Sequence, residues 1–143
     1  MTVKMILSEK GRNVATIEPN ATLDTAAKLL AARRIGALVV LGADDRVVGI
    51  LSERDIVRAV AERGAAALTE QLAQTMTRKV AICAEADTVG DIMEQMTSGK
   101  FRHLPVIEHG RLVGIVSIGD VVKHRLQEME LEQSALTDYI RTA

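Results

Sequence analysis

The sequence predicts a mixed α+β protein made of two copies of one strand–helix–strand–strand–helix unit. The first observation is a repeated phrase, because GILSERDIV at 49–57 and GIVSIGDVV at 114–122 keep Gly, Ser, Asp and the aliphatic positions in one order. The second is a matching register, since Thr22 recurs as Thr88, 66 residues later, and the offset becomes 65 after one extra residue in the first copy's loop near Asp44. The third is that both copies place a helical stripe before paired β-branched runs.

Each copy contains the pattern of an amphipathic helix directly after a threonine. Apolar residues recur at i, i+3, i+4 and i+7, which is the spacing of one helix face. Thr22 and Thr88 precede these stripes, and threonine is a favourable N-cap because its hydroxyl accepts a backbone N–H of the first turn. We therefore expect helices over the stripes Leu23, Ala26, Ala27 and Leu30, and Val89, Ile92, Met93 and Met96.

Two short β-branched runs follow each helix and predict a hairpin. The runs are separated by 42–45 in the first copy and by His109 and Gly110 in the second, and these residues favour turns. A shorter apolar run before each helix predicts the first strand of the unit. A second helix is expected to begin at Ser52 and at Ser117. The expected strands are 14–17, 37–41 and 47–51 in the first copy and 80–83, 104–107 and 112–116 in the second.

The repeat sets the expected organisation of the chain. We assign 1–76 to the first repeat, with a short N-terminal helix and a linker helix over 65–76. We assign 77–143 to the second repeat, with an extended C-terminal helix. A single copy of about 50 residues buries too little surface to be stable alone. We therefore expect the two pseudo-symmetric repeats to pack sheet to sheet as one module.

Composition argues against several classes of function. The 143 residues carry a net charge of −1 with one Phe, one Tyr and no Trp, so the chain lacks the basic field and the aromatic platforms that bind nucleic acid. The longest uncharged apolar run, 35–43, is far shorter than the roughly 20 residues of a membrane span. The apolar part of the N-terminus is too short for a secretory signal, and one cysteine permits no internal disulfide. We expect a cytoplasmic protein without nucleic-acid or membrane partners.

The two G-I-L/V-S-x-x-D-I/V-V phrases, the F-R-H-L-P-V segment at 101–106 and the order of elements resemble a tandem pair of CBS domains, the Bateman module. The resemblance spans 14–129. It implies two βαββα repeats with clefts between them that bind an adenine nucleotide: AMP above all, or ADP, ATP, NAD(H) or S-adenosylmethionine. It also implies a sensor of energy or redox state that regulates another protein, which the sequence does not identify.

Asp55 and Asp120 are the candidate ribose ligands that the resemblance implies. A carboxylate can accept protons from both ribose hydroxyls, as the acidic residue of dinucleotide-binding folds does. Ser52 and Ser117 stand at the strand-to-helix junctions, where a hydroxyl and free backbone N–H groups can bind phosphate. The same Ser-x-x-Asp spacing is also close to that of a capping box, which needs no ligand. Both interpretations stay open, and for the serines the two roles are compatible.

Arg102 and His103 are the candidate phosphate ligands. Arginine offers a planar fork of donors, and histidine donates to phosphate more strongly when it is protonated. The resemblance implies phosphate contacts at this point, sometimes to the ligand whose ribose is held by the opposite repeat, and a solvated strand edge is the alternative. The aligned residues of the first repeat, Gly36 and Ala37, carry no side-chain donors, so the two clefts are not equivalent. With Arg54 or Arg58 as a further cation near the first carboxylate, we expect one nucleotide per chain.

An adenine base needs an apolar slot. Aliphatic residues around the first strand of each repeat and on a neighbouring strand are the candidates, although residues of this type also form ordinary core. They are Val14, Ala15, Thr16, Val80, Ala81, Ile82 and Pro105.

The helix that begins at Ser117 is expected to be longer than its counterpart in the first repeat, which is expected to end near Gly64. Six positions, all apolar except Gln133, are spaced 4, 3, 4, 3 and 4 residues apart, and the average of about 3.5 is typical of a helix that packs along a partner helix. We call these positions the C-terminal seam: Val122, Leu126, Met129, Gln133, Leu136 and Ile140. We expect the seam to form a homodimer or to dock on a partner. The alternative is that the helix folds back on its own module.

Three classes of function remain. A nucleotide-binding regulator explains the repeat and the polar residues together, whereas a ligand-free dimerisation scaffold explains the repeat alone. An enzyme is disfavoured because the barrel of IMP dehydrogenase, which carries such modules, needs about 250 further residues and no catalytic motif is present. The histidines share no metal-ligand spacing with Cys83 or with one another, so no metal site is expected. The sequence predicts no catalytic residue and no catalytic cofactor.

Overall fold

The computed structural model describes residues 1–142, and its elements follow the expected order. The helices are α1 (Val3–Lys10), α2 (Leu23–Arg33), α3 (Glu53–Arg63), α4 (Val89–Gly99) and α5 (Ile118–Thr142). The strands are β1 (Thr16–Ile17), β2 (Ala37–Leu41), β3 (Val47–Ser52), β4 (His103–Glu108) and β5 (Arg111–Ser117). The mixed α+β class, with two repeated units and a long C-terminal helix, is therefore confirmed.

The threonine caps that the sequence predicts set the starts of α2 and α4. The Thr22 hydroxyl accepts the Thr25 N–H at 3.2 Å, and the Thr88 hydroxyl accepts the Asp91 N–H at 3.1 Å. Both helices then end on a left-handed residue, with φ of 53° and 57°. The two copies therefore match in backbone conformation at both ends of this helix.

The first repeat contains a three-stranded sheet in which β1 runs parallel to β2 and β2 runs antiparallel to β3. The predicted hairpin is confirmed, although the expected strand at 14–17 is shortened to Thr16–Ile17. Buried aliphatic residues of the sheet, the two helices and the linker form one core. They are Leu23, Ala26, Leu30, Leu38, Val40, Leu51, Ile56, Ala59, Ala67, Leu72 and Met76.

The second repeat contains the other predicted hairpin, formed by β4 and β5. His109 and Gly110 connect the two strands with φ of 51° and 75°. Positive φ at both central residues is the geometry that a tight hairpin turn requires, and glycine adopts it without strain.

The expected strand at 80–83 is reduced to a single parallel bridge between Cys83 and Val106. In the first repeat the Val39 N–H donates to the Ala15 carbonyl at 3.2 Å and lengthens the corresponding ladder. Pro105 stands at the position equivalent to Val39, and proline has no N–H to donate. The prediction of a full strand was wrong because it ignored this missing donor.

The chain divides into two compact units. One unit contains 13–81 and 109–113, and the other contains 1–12, 82–108 and 114–142. The helix α1 therefore lies with the second repeat, although the sequence places it next to the first. We propose that the repeats themselves divide at 76 and 77.

Backbone hydrogen bonds and a close side-chain contact hold α1 on the second repeat. The Val3 N–H donates to the Asp87 carbonyl at 2.9 Å, and the Val89 N–H donates to the Met1 carbonyl at 3.1 Å. Leu7 is 1% exposed, and its Cδ2 lies 2.7 Å from the place that a Cβ at Gly114 would occupy. Glycine at 114 therefore permits the close approach of α1 to β5.

The linker docks on the first repeat through a similar pair of hydrogen bonds. The Leu72 N–H donates to the Ala21 carbonyl at 2.8 Å, and the Leu23 N–H donates to the Glu70 carbonyl at 3.0 Å. Because these backbone groups are committed to tertiary bonds, the linker forms two 3₁₀ segments, Gly64–Thr69 and Leu72–Gln74, in place of the expected α-helix.

Within residues 1–142, no helix combines the length and the hydropathy that crossing a bilayer requires.

Candidate functional site

Ser52 and Asp55 close the start of α3. The Ser52 N–H donates to Asp55 Oδ2 at 2.9 Å, and the Asp55 N–H donates to the Ser52 hydroxyl at 3.3 Å. The capping box that the sequence allowed is therefore formed. Asp55 is half-buried. Among residues 1–142, no hydrogen bond reaches its Oδ1 atom and no cation forms an ion pair with it.

Ser117 and Asp120 form the same box at the start of α5, with distances of 2.9 and 3.2 Å. Here Asp120 Oδ2 also accepts the ammonium group of Lys10 at 2.6 Å. Burial raises the pKa of Asp120, but the hydrogen bonds from Lys10 and Ser117 and the charge of Lys10 together hold that pKa below its usual value. The second carboxylate is therefore ionised and already paired.

Sequence reasoning missed Lys10. The two partners lie 110 positions apart in the chain, and α1 carries no motif that points to Asp120. Only the docking of α1 on the second repeat brings the two charges together.

Arg102 and His103 lie at the start of β4, where Arg102 is exposed and His103 is half-buried. The Ile118 N–H donates to the Arg102 carbonyl at 2.8 Å, so Arg102 lies beside the first residue of α5. The structure therefore places this basic pair in the same compact unit as Asp120.

Arg54 lies in the first turn of α3, directly before Asp55, and is exposed. The Glu53 N–H donates to the Gly36 carbonyl at 2.9 Å, which reproduces in the first repeat the tie between Ile118 and Arg102. Gly36 is the equivalent of Arg102 and has no side chain. The cation nearest in sequence to Asp55 is therefore Arg54.

The candidate residues for the base slot differ in burial and divide between the two units. Val14, Ala15, Val80 and Ala81 are half-buried, Thr16 is exposed, Ile82 is 49% exposed and Pro105 is buried. The first four and Thr16 belong to one compact unit, and Ile82 and Pro105 belong to the other. Ile82 therefore lies outside the buried core.

A depression of about 450 Å³ lies in the first repeat between the end of α2 and the start of α3. Its lining is mostly aliphatic and includes neither Ser52 nor Asp55. The lining residues are Ala27, Leu30, Ala31, Arg34, Ile35, Gly36, Glu53, Ile56 and Val57.

Other reactive groups offer little chemistry. Burial, with a smaller effect from the charge of Asp87, raises the pKa of the Cys83 thiol to about 12. The thiolate that a nucleophile requires is therefore scarce at neutral pH. Within the described part of the chain, no group of three or more His, Cys, Asp and Glu side chains is arranged to hold a metal ion.

Comparison with known proteins places this geometry in a family. A CBS-domain model matches residues 7–62 and 70–127. The chain belongs to the CBS-domain family. Asp55 and Asp120 thus occupy equivalent positions in two CBS repeats, at the first turn of the helix that follows the last strand.

Two solved structures and one curated relative illustrate the similarity. The CBS-domain containing protein ATU1752 from Agrobacterium tumefaciens is 51% identical, with a TM-score of 0.84 over 87% of this chain and 92% of that chain. The CBS domain protein PAE2072 from Pyrobaculum aerophilum, solved in complex with AMP, is 30% identical, with a TM-score of 0.79 over 93% and 99%. An uncharacterised 17.7 kDa protein of Acidianus ambivalens is 40% identical over 111 residues. The match covers 77% of this chain and 66% of that protein, just under two thirds of its length.

Proposed function

We propose that this CBS-domain chain is a regulatory protein that binds an adenine nucleotide, AMP first among the candidates, through the carboxylate of Asp55. The observation that carries the proposal is the state of this carboxylate. It is half-buried, it is oriented by a capping box, and its Oδ1 atom accepts no hydrogen bond within residues 1–142. The AMP complex of a CBS relative that is 30% identical supports this class of ligand.

The chemistry of Asp55 and Ser52 suits a ribose phosphate. An ionised carboxylate has about four lone-pair sites, and the Ser52 N–H uses one of them. The remaining sites can accept both ribose hydroxyls. The Ser52 hydroxyl accepts the Asp55 N–H, so its own proton remains available to a phosphate oxygen at the start of α3. Arg54 adds an exposed cation beside them.

The other candidate residues are assigned repeat by repeat. Val14, Ala15 and Thr16 contribute to a base slot in the first unit, together with Val80 and Ala81. The second unit has the equivalent set, in which Ile82 and Pro105 suit a base and Arg102 and His103 suit a phosphate near Ser117 and Asp120. We expect the one nucleotide of each chain at Asp55 and not at this second set. The module would regulate a second protein. We place it in the cytoplasm, because a chain with one cysteine suits a reducing compartment.

Calorimetric titration with AMP, compared between wild type and Asp55→Asn, tests the proposal. The asparagine keeps an oxygen for the Ser52 N–H but removes the charge and one acceptor. We expect saturable AMP binding in wild type and at least tenfold weaker binding in the variant. Glu53→Gln is the matched control, because it removes a carboxylate from the same helical turn and should leave the affinity unchanged. Unaltered affinity in Asp55→Asn contradicts the assigned site.

A ligand-free dimerisation scaffold is the second candidate, and the two complete capping boxes favour it. These boxes explain Ser52, Asp55, Ser117 and Asp120 without any ligand. Flat titrations with AMP, ADP, ATP, NAD(H) and S-adenosylmethionine would favour the scaffold. A melting temperature raised by AMP excludes it, because ligand at 100 times its dissociation constant stabilises by about 2.7 kcal/mol.

We also propose that the C-terminal seam pairs with that of a second copy. Every residue of α5 from 129 to 142 is exposed, including Met129 at 50%, Leu136 at 60% and Ile140 at 66%. This stretch is about 21 Å long at 1.5 Å per residue. An isolated helix of about 14 residues is only marginally stable in water, so a partner along the seam would stabilise it.

Light scattering after size exclusion tests the dimer with a matched pair of variants. Leu136→Glu places a charge on the seam and is expected to give monomers. Leu131→Glu makes the same change on the same helix, outside the seam, where the side chain is 64% exposed. It is expected to leave the dimer intact. A monomeric wild type, or equal behaviour of the two variants, contradicts pairing through the seam.

A further inference from the structure

A lysine of the chain itself occupies the carboxylate of the second repeat. The Lys10 ammonium donates to Asp120 Oδ2 at 2.6 Å and to the Ile115 carbonyl at 2.9 Å. The same Oδ2 atom accepts the Ser117 N–H at 2.9 Å. Both side chains of the pair are partly shielded, with exposed fractions of 32% for Lys10 and 24% for Asp120. This oxygen is therefore satisfied twice before any ligand arrives.

The docking of α1 fixes this lysine in place. Leu7, one turn before Lys10, is buried against Gly114. The first turn of α1 is held at Val3 by the Asp87 carbonyl. Since Lys10 is the last residue of α1, its stem extends from a helix that is anchored at both points.

The first repeat lacks an equivalent occupant. Met76 lies against Gly49 as Leu7 lies against Gly114. Lys79 follows Met76 by three residues, as Lys10 follows Leu7, and is therefore the equivalent of Lys10 in the first repeat. After Met76, however, the chain does not continue as a helix. It pairs with β3 through the Ile50 and Thr77 backbones, at 2.9 and 3.0 Å. Among residues 1–142, no cation forms an ion pair with Asp55.

We propose that Lys10 determines which carboxylate takes the nucleotide, by occupying Asp120 so that the nucleotide binds at Asp55. The proposal rests on the adenine-nucleotide function argued above. Asp120 Oδ2 already accepts the Ser117 N–H and the Lys10 ammonium, which uses both lone pairs of that oxygen. A ribose that needs both carboxylate oxygens must therefore displace the ammonium. Asp55 presents no such competitor. A nucleotide binds at Asp120 only when Lys10 releases it.

Counting AMP sites by calorimetry tests this role of Lys10. We expect one AMP per chain in wild type and two in Lys10→Met, which keeps the length of the stem and removes the charge. The second site of Lys10→Met should disappear when Asp120→Asn is added. Lys10→Arg should restore one site, because the charge returns. Lys79→Met is the matched control and should keep one site.

The outcomes separate the two proposals. One site in both wild type and Lys10→Met, with binding lost in Asp55→Asn, overturns the role of Lys10 and keeps the nucleotide function. Two sites of equal affinity in wild type also overturn it. No AMP binding in any variant overturns both proposals. Circular dichroism of each variant verifies that an altered number of sites does not arise from unfolding.

Discussion

The contact between Leu7 and Gly114 allows a quantitative prediction about how α1 is held. In Gly114→Ala the new Cβ would lie 2.7 Å from Leu7 Cδ2 and 2.8 Å from Cδ1. Ordinary carbon contacts are about 3.5–4.0 Å, so the buried leucine or the whole helix must shift by roughly 1 Å. Overpacking of this kind costs about 1–3 kcal/mol. Leu7→Ala leaves a cavity and costs about 2–5 kcal/mol.

The double variant Leu7→Ala/Gly114→Ala should be less destabilised than the sum of the single variants. The alanine methyl at 114 enters space that the leucine methyls have left, so both the clash and part of the cavity disappear. Residues in contact show coupling energies of about 0.5–3 kcal/mol, and we expect at least about 1 kcal/mol here. Thermal unfolding followed by far-ultraviolet circular dichroism suits a chain without tryptophan. Each kcal/mol corresponds to roughly 2–4 °C.

Gly90→Ala is the control for this cycle. A Cβ at Gly90 meets no atom within 4 Å, and alanine is the better helix former. This variant should therefore be neutral or slightly stabilising. Additive effects of Leu7→Ala and Gly114→Ala, or a neutral Gly114→Ala, would refute the placement of α1 on β5.

Three further predictions concern ionisation and capping. Because the pKa of Asp120 is lowered in the folded chain, its pairing with Lys10 stabilises the fold at neutral pH and is lost as pH falls through that lowered value. The difference in urea midpoint between wild type and Lys10→Met should therefore shrink towards zero in acid. A difference that stays constant with pH would contradict the pairing. Ser52→Ala should lower the free energy of unfolding by about 1 kcal/mol through the lost cap. Asp55→Asn should also abolish the AMP-induced rise in melting temperature. Retention of that rise would contradict the ribose role of Asp55. Cys83, with its pKa raised to about 12 by burial and by a neighbouring carboxylate, should resist thiol reagents at neutral pH until urea unfolds the chain, and rapid labelling of the native protein would contradict its burial.

Local patterns predicted much of the fold, because the relevant forces act over a few residues. The stripes after Thr22 and Thr88 determine one helix face, and the threonine caps form as expected. The Ser-x-x-Asp spacing likewise predicts a capping box, and both boxes are present. These features depend on side chains that meet neighbours one turn away.

Features that depend on distant contacts were not predictable from the sequence. The linker has a helical composition, yet its backbone bonds to Ala21 and Leu23 replace a helix. The strand at 80–83 has a suitable sequence, yet a proline on its neighbour removes the donor that it needs. Lys10 meets Asp120 only because α1 docks on the second repeat, and no local pattern reports that docking.

Crystals soaked with AMP test the central claim most directly. We expect one nucleotide per chain, with its ribose hydroxyls at hydrogen-bond distance from the Asp55 carboxylate and with Lys10 still bound to Asp120. AMP held elsewhere, or an Asp55 carboxylate that stays without ligand at saturating AMP, would contradict the claim.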